Sequence, residues 1–149
     1  AAGVRLAIEP LHPMYCADRC VISTLGQASR IAAEHPAEAV GVVVDSYHLW
    51  WDDGAEADIV RAGHDGRIAA VQLADWATPL PAGVLTGRVL PGEGLIDFTW
   101  FRQVVRRAGW TGPVEVEIFN DELWARPGPD VLDATIAAYH RTWDDGAVA

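Results

Sequence analysis

The sequence predicts an α/β fold made of four consecutive βα units, which is half of an eight-unit parallel barrel. Three observations support this prediction. Four short apolar runs, rich in Val, Ile, Leu and Ala, each end at a residue with a side-chain oxygen. A loop and a helical pattern follow each run, as the crossover between parallel strands requires. The chain has 149 residues, whereas eight such units typically take about 250.

Each predicted strand places an oxygen-bearing side chain at or near its carboxyl end. The strands comprise residues 4–9, Val40–Asp45, Ile68–Leu73 and Val114–Ile118, and the oxygen-bearing residues are Glu9, Asp45, Gln72 and Glu117. The carboxyl ends of parallel strands share one edge of the sheet, where functional sites gather. A single such residue is most simply a solvated side chain, but the fourfold recurrence favours a shared site for a metal ion.

Helical patterns follow the strands, with polar residues before them and Gly or Pro after them. The predicted boundaries are Asp18 or Ser23 to about Glu34, Asp52 to Gly63, Asp97 to Gly109, and about Asp130 to His140. Residues 46–51 are predicted to be an aromatic-rich loop. Residues 74–97 form a long connection rich in Pro and Gly, and a loop of that length is usually functional or disordered.

The composition argues against several classes of partner. Asp and Glu outnumber Lys and Arg by 21 to 11, and no basic patch offers a surface for nucleic acid. No apolar stretch is long enough to span a membrane, and the first residues lack the pattern of a signal peptide. Cys16 and Cys20 are typical of idle thiols in a reducing compartment. We therefore expect a cytoplasmic protein with neither a nucleic-acid nor a membrane partner.

The start of the chain indicates a fragment. It lacks Met and enters its first strand almost at once, so we expect a front part to be missing. Half a barrel would expose the apolar edges of its first and last strands, which soluble proteins avoid. The rest of a parent chain, or a second copy in a homo-oligomer, is expected to cover them. The isolated chain is predicted to self-associate or to be unstable.

The strand ends and one loop resemble those of the xylose isomerase-like TIM barrel superfamily of sugar phosphate isomerases and epimerases. The matching stretches are Ile8–Pro10, Val44–His48, Val71–Asp75, Gly87–Gly94 and Val116–Ile118. Their order is similar to that of units five to eight, which implies that residues 1–149 are one partial domain, the C-terminal half of a (β/α)8 TIM barrel. The family's metal ligands are Glu, Asp, His and Glu, and the resemblance places them at Glu9, Asp45, Gln72 and Glu117. Some dehydratases of the superfamily have Gln at the third position.

The resemblance implies a divalent-metal-dependent isomerase or epimerase acting on a small keto-sugar, its phosphate, or a cyclitol. Glu9 and Glu117 would serve as general base and acid while a metal-stabilised enediolate forms next to the carbonyl. An all-oxygen ligand set suits Mn²⁺ or Mg²⁺ better than Zn²⁺, with Co²⁺ as a further option. Two alternatives stay open: a metal-dependent dehydratase of the inosose or 3-dehydroshikimate type, and a non-catalytic barrel fragment.

The resemblance also places His48 and Arg88 at the substrate. His12 is a further candidate for substrate contact, although a solvated loop histidine is the simpler alternative. Asp75 is expected either to orient a metal ligand or to cap its loop. Glu115 should share the face of Glu117 if that strand is regular. Aromatic residues after the strand ends would contact a sugar ring or, more simply, pack at the rim: Tyr47, Trp50, Trp51, Trp76 and Trp124.

Overall fold

The computed structural model describes residues 3–81 and 84–144 of the chain. Its strands are β1 (Leu6–Ile8), β2 (Val40–Asp45), β3 (Ile68–Leu73), β4 (Asp75–Trp76), β5 (Arg88–Val89) and β6 (Val114–Val116). Four of them form one sheet in the order β1-β2-β3-β6, and every pairing in it is parallel. The predicted α/β class with four parallel strands is therefore confirmed. In the described part of the chain, β1 and β6 are edge strands.

The helices are α1 (Leu25–Ala32), α2 (Ser46–Leu49), α3 (Ala55–His64), α4 (Phe98–Arg107), α5 (Asp121–Trp124) and α6 (Gly128–Thr142). Short 3-10 turns lie at Pro13–Tyr15 and Val84–Thr86. Residues of α1, α3 and α4 pack with those of the sheet in one apolar core, which includes Leu25, Ile59 and Phe101. None of the helices in the described ranges is long and apolar enough to cross a bilayer.

The two faces of the sheet have different surroundings, because successive side chains of a strand point to opposite sides. The outer face, which carries Val42, Val44, Val71 and Leu73, is fully buried in the core. The inner face carries Val43, Asp45, Ala70, Gln72 and Glu115. Asp45 is in register with Gln72, and Gln72 with Glu115, so these three polar side chains form a row across three strands.

The first helix begins later than predicted. Its N-cap is Thr24, not Asp18 or Ser23, and the Thr24 side chain accepts a hydrogen bond from the Gln27 backbone N–H. The Gln27 side-chain oxygen accepts from the backbone N–H of Thr24 in return. This reciprocal capping box satisfies two backbone donors at once, which neither predicted cap does.

The second predicted helix, α3, ends at His64, one residue beyond the predicted Gly63, but Gly63 is not the residue that stops it. Gly63 lies inside α3, where a β-carbon would come within 2.0 Å of the Ala108 backbone oxygen. This glycine therefore permits α3 to pack closely against the end of α4. Gly66, with φ of 65°, is the residue that reverses the chain after α3. Residues 46–49, predicted as loop, form the short helix α2 because the Asp45 side chain caps it.

The long connection between β3 and α4 is ordered by a small hairpin and a buried carboxylate. Strands β4 and β5 pair antiparallel, which the sequence did not indicate. The Asp75 carboxylate is buried and accepts hydrogen bonds from the backbone N–H groups of Trp76, Gly92, Gly94 and Ile96. Of the two roles considered for Asp75, the structure supports the loop cap.

Candidate functional site

Three side chains meet where β1 and β2 end. Glu9 directly follows β1, Asp45 is the last residue of β2, and His48 lies in α2. Asp45 Oδ1 accepts from the Tyr47 backbone N–H at 2.8 Å, which leaves Oδ2 to face the other two residues. His48 Nε2 is 3.7 Å from Glu9 Oε1 and 3.8 Å from Asp45 Oδ2. One ligand atom from each residue lies within 4.8 Å of the others, a spacing that could hold a metal ion.

Arg88 joins this cluster to the end of β6. Its Nη1 donates to Glu117 Oε2 at 2.7 Å and lies 3.5 Å from Asp45 Oδ2. The guanidinium is buried and stacks between the rings of Tyr47 and Phe119, with 4.8 Å to each ring centre. Stacking and ion pairing together hold the guanidinium in one orientation. The predicted residues Glu117 and Arg88 are thus in contact with each other and near the cluster.

The hairpin and the segment after β6 position Arg88. Its backbone N–H donates to the Phe119 carbonyl at 3.3 Å, and Asn120 Nδ2 donates to the Arg88 carbonyl at 2.8 Å. Asn120 also caps α5 through its side-chain oxygen. The residue that reaches the carboxylates is therefore anchored on both sides by local backbone contacts.

Gln72 presents an amide oxygen on the same face. Its Nε2 donates to Glu115 Oε2 at 3.0 Å. An ionised carboxylate can only accept, so this contact turns the amide nitrogen toward Glu115 and the amide oxygen away from it. Gln72 Oε1 and Asp45 Oδ2 are both buried without a hydrogen-bond partner among the described residues. Two buried oxygens that accept no hydrogen bond are unfavourable unless a donor or a cation meets them, and the Arg88 guanidinium, 3.5 Å from Asp45 Oδ2, meets only one of the two.

The electrostatics of the site favour added positive charge. Burial raises the pKa of Asp45 to about 7, although Arg88 opposes the shift, and Glu9 and Glu117 add to it. Burial also raises the pKa of Glu9, with a further rise from the negative charge of Glu117. Carboxylates that are crowded and desolvated in this way bind a proton or a metal ion more readily than isolated ones.

His48 is neutral, and its Nε2 faces the carboxylates of Glu9 and Asp45 at 3.7 and 3.8 Å. Burial and the nearby charge of Arg88 lower its pKa to about 3. Its Nδ1 accepts from the His12 backbone N–H at 3.0 Å, so the ring proton of the neutral imidazole must lie on Nε2. The 3.3 Å approach of Arg88 Nη2 to Nε2 is then a contact between two donors. In this tautomer Nε2 offers a hydrogen bond to a substrate oxygen, whereas ligation of a metal by His48 would require Nε2 to lose its proton.

A cavity of about 180 Å³ opens beside these residues. Its walls are Glu9, Leu11, Tyr15, Arg19, His48, Leu85, Arg88, Glu117 and Phe119. Four of the predicted site residues therefore share one space. A larger groove of about 700 Å³ lies on the helical side between α3 and α4. We place the site in the smaller cavity, because the larger one contains none of the strand-end oxygens.

Tyr15, Arg19 and Phe119 were missed by the sequence interpretation. Phe119 lies two residues beyond Glu117, so the rule that sites gather at strand ends could have included it. Tyr15 and Arg19 lie in the loop after β1, where nothing in the local pattern marks them. Only the folding of that loop over the cavity brings these two side chains to the site.

His12 contacts the site mainly through its backbone. Its ring packs against Trp76 and Trp51, with centroid distances of 4.7 and 5.6 Å, while its N–H holds His48. Substrate contact by the His12 ring stays a prediction. Tyr47 stacks on Trp76, Trp50 packs against Trp76 at a tilt, and Trp124 packs edge-on against Phe119. Most of the strand-end aromatics therefore pack at the rim.

Residues 1–139 match the model of the family described as xylose isomerase-like TIM barrel. Inosose isomerase of Halalkalibacterium halodurans is 30% identical over 125 residues, which cover 82% of this chain and 42% of that protein. The 3-dehydroshikimate dehydratase of Pseudomonas putida is 38% identical over 99 residues, covering 64% of this chain and 15% of that protein. The chain thus spans less than half the length of these curated relatives.

Two solved structures are similar to this chain over nearly all of its length. Protein SMc04130 from Sinorhizobium meliloti 1021 superposes with a TM-score of 0.90 at 43% identity, covering 96% of this chain and 52% of that one. The IolI protein, solved with a bound zinc atom, gives a TM-score of 0.78 at 24% identity, covering 94% of this chain and 49% of that one. The likeness to IolI concerns the fold alone. The parallel four-stranded sheet, the shared strand-end cavity and these matches together show that the chain belongs to the xylose isomerase-like TIM barrel family.

Proposed function

We propose that this chain carries the metal-binding and proton-transfer residues of a divalent-metal-dependent isomerase or epimerase. The substrate would be a small keto-sugar, its phosphate, or a cyclitol, and the reaction would begin with proton abstraction next to the carbonyl. The observation that carries the proposal is the pair of buried oxygens, Asp45 Oδ2 and Gln72 Oε1, which accept no hydrogen bond from the described residues and lie on adjacent strands beside Glu9. Family membership and the inosose isomerase relatives support the same reaction class.

Glu9, Asp45, Gln72 and Glu117 would hold the ion. All four offer oxygen, the donor that Mn²⁺ and Mg²⁺ prefer, with Co²⁺ as a further option. The hydrogen bond from Gln72 to Glu115 supports this set, since it leaves the amide oxygen free to bind. A bound divalent ion would supply Lewis-acid stabilisation of the negative charge that develops on a substrate carbonyl oxygen.

Glu9 and Glu117 would move the proton. Both line the cavity, and the charge of Glu117 contributes to the raised pKa of Glu9, so each carboxylate is within electrostatic reach of the other. A carboxyl with a raised pKa is a better proton acceptor than an ordinary one. Glu117 is held in place by its ion pair with Arg88. His48, with its proton on Nε2, and Arg88 would hold substrate oxygens in place.

Titration calorimetry with Mn²⁺ on the full-length protein tests the ligand set. We expect one Mn²⁺ to bind per chain, and Asp45→Asn and Gln72→Leu each to weaken binding roughly tenfold or more, since each removes an oxygen donor. Glu38→Gln is the matched control, because it removes an exposed carboxylate far from the site and should change nothing. Wild-type protein that takes up no Mn²⁺ would exclude the proposal and favour the non-catalytic alternative.

A dehydratase is the second candidate. Gln72 occurs where some dehydratases of the superfamily have Gln, and the Pseudomonas putida 3-dehydroshikimate dehydratase is 38% identical over 99 residues. Both reactions use the same proton abstraction and differ in whether a β-hydroxyl leaves. Incubating the metal-loaded protein with 3-dehydroshikimate and with an inosose separates them, since loss of water gives an unsaturated product with ultraviolet absorbance. Isomerisation of the inosose gives no such unsaturated product.

A further inference from the structure

The loop after β1, residues 9–20, is attached to the site at two points. His12 donates its backbone N–H to His48 Nδ1 at 3.0 Å. Tyr15 is 2% exposed, and its ring meets the His48 ring edge-on at 5.7 Å between centroids. The loop therefore lies over the cavity in a defined position, because both contacts tie it to the same buried imidazole.

Tyr15 also sets the position of Arg19. The Tyr15 carbonyl accepts hydrogen bonds from the backbone N–H groups of Asp18, Arg19 and Cys20, at 3.3, 2.9 and 3.3 Å. Burial raises the pKa of the Tyr15 hydroxyl, and the charges of Arg88 and Arg19 partly offset the rise. Tyr15, Arg19 and Arg88 all line the same cavity, and both guanidinium groups are within electrostatic reach of the Tyr15 hydroxyl.

Arg19 has no counterion among the described residues. Its side chain forms part of the wall of the cavity that also contains Glu9, His48, Arg88 and Glu117. In the ranges the structure describes, Arg19 has neither a side-chain hydrogen bond nor an ion pair, whereas Arg88 in the same cavity is paired with Glu117. Its residue surface is exposed, so the guanidinium is available to a ligand that enters the cavity.

The charge balance of the site identifies what such a ligand would carry. Glu9, Asp45 and Glu117 provide three negative charges when ionised, and Arg88 provides one positive charge. A divalent ion in the proposed position would bring that total to zero. Arg19 then adds one positive charge, and a planar guanidinium forms paired hydrogen bonds with a carboxylate or phosphate.

We propose that Arg19 binds an anionic substituent of the substrate, so that the site takes a polyhydroxylated ketone bearing one carboxylate or phosphate group. The inference rests on the proposed function for the location of the reacting carbon, which lies deeper in the cavity beside Glu9. Arg19 would act at the rim as a substrate-contact residue that selects charged over uncharged ketones.

The test measures binding of three unreactive ligands to the full-length protein by calorimetry, with and without Mn²⁺. Shikimate carries a carboxylate, ribitol 5-phosphate carries a phosphate, and myo-inositol carries no charge. We expect wild-type protein to bind at least one of the two anions more tightly than myo-inositol. Arg19→Gln should weaken that anion roughly tenfold or more, the usual effect of losing a charge-assisted pair, and leave myo-inositol within about twofold.

Two further variants and a separate Mn²⁺ titration complete the design. Arg19→Lys, which keeps the charge but not the planar fork, should retain part of the anion affinity. Arg30→Gln changes the net charge equally on the exposed side of α1 and should leave all three affinities unchanged. Wild-type protein that binds neither anion, or Arg19→Gln that loses none of the anion affinity, overturns the proposal. A failure to bind Mn²⁺ with the Arg19 dependence intact would reject the proposed function alone.

Discussion

On the outer face of the sheet, Val42, Val44 and Val71 are fully buried beneath helices. On the inner face, Asp45 and Gln72 lie side by side, and each has one buried oxygen that accepts no hydrogen bond from the described residues. The apolar side chains of the outer face are removed from water by the helices packed on them, and this burial stabilises the folded chain. The inner face keeps these two oxygens without hydrogen bonds from the described residues, which is unfavourable for folding but leaves them available to a ligand. Residues of the outer face should therefore affect unfolding, and residues of the inner edge should affect turnover.

The largest expected effect is on turnover at the inner edge. Glu9→Gln and Glu117→Gln keep the size of each side chain but remove the group proposed to accept or return the proton. We expect each to lower turnover by roughly 10³-fold, within the range found for loss of a general acid or base. Steady-state kinetics of the full-length protein measure this loss. Near-normal turnover in either variant, with Glu38→Gln as the unaffected reference, would contradict the proposed roles.

Stability should respond on the outer face instead. Phe101 is fully buried in the core between the sheet and the helices, and Phe101→Ala is expected to lower the free energy of unfolding by about 3–5 kcal/mol. Glu115→Gln, an exposed change on the inner face, should stay within about 0.5 kcal/mol of wild type. Urea denaturation measures the free energy of unfolding of both variants. Equal losses in the two would remove the distinction between the faces.

The pH dependence of stability should reveal two opposing groups at the inner edge. In metal-free protein, burial raises the pKa of Asp45 from its usual 3.8 to about 7. The folded state therefore holds a proton that the unfolded state has released, and this contribution to stability falls as pH rises from about 4 to 7. Burial lowers the pKa of His48 from 6.5 to about 3, and its contribution rises with pH over about 3 to 6.5.

The two contributions offset each other in wild-type protein, and single substitutions should separate them. Relative to wild type, Asp45→Asn should gain stability as pH increases from 4.5 to 6.5, and His48→Gln should lose it. Each change is expected to be at most about 3 kcal/mol, from 1.36 kcal/mol per pKa unit. Urea denaturation with a chelator present measures both slopes. Identical slopes in the two variants would show that these groups do not titrate as their burial indicates.

The smallest expected effect is on metal preference. Gln72→His replaces the amide oxygen with a nitrogen donor, which Zn²⁺ favours more than Mn²⁺ does. We expect the ratio of Zn²⁺ to Mn²⁺ affinity to rise about tenfold, measured by competition titration. Gln72→Glu serves as the control, since it keeps oxygen at this position. An unchanged ratio in Gln72→His would place residue 72 outside the ligand set.

The local patterns that predicted the fold were those with the strongest physical constraints. Apolar runs such as Val40–Asp45 predicted strands within a few residues, because strands that are buried on both faces are nearly continuous in hydrophobic residues. Asp97 was correctly predicted as a helix cap. Helix boundaries that depend on reciprocal side-chain bonds, such as Thr24 with Gln27, were wrong. The β4–β5 hairpin was missed because its two strands have only two residues each.

The sequence by itself determined the order of the βα units and the oxygen-bearing residues at their ends, since burial and strand direction dictate both. Tertiary structure alone decided which of those residues share a cavity and how their charges are balanced. Arg88 illustrates the reason: its stacking between Tyr47 and Phe119 and its bond to Glu117 join residues that are far apart in the chain. The tautomer of His48 likewise depends on a backbone N–H from another loop. Such contacts depend on distances in space, which no local pattern along the chain encodes.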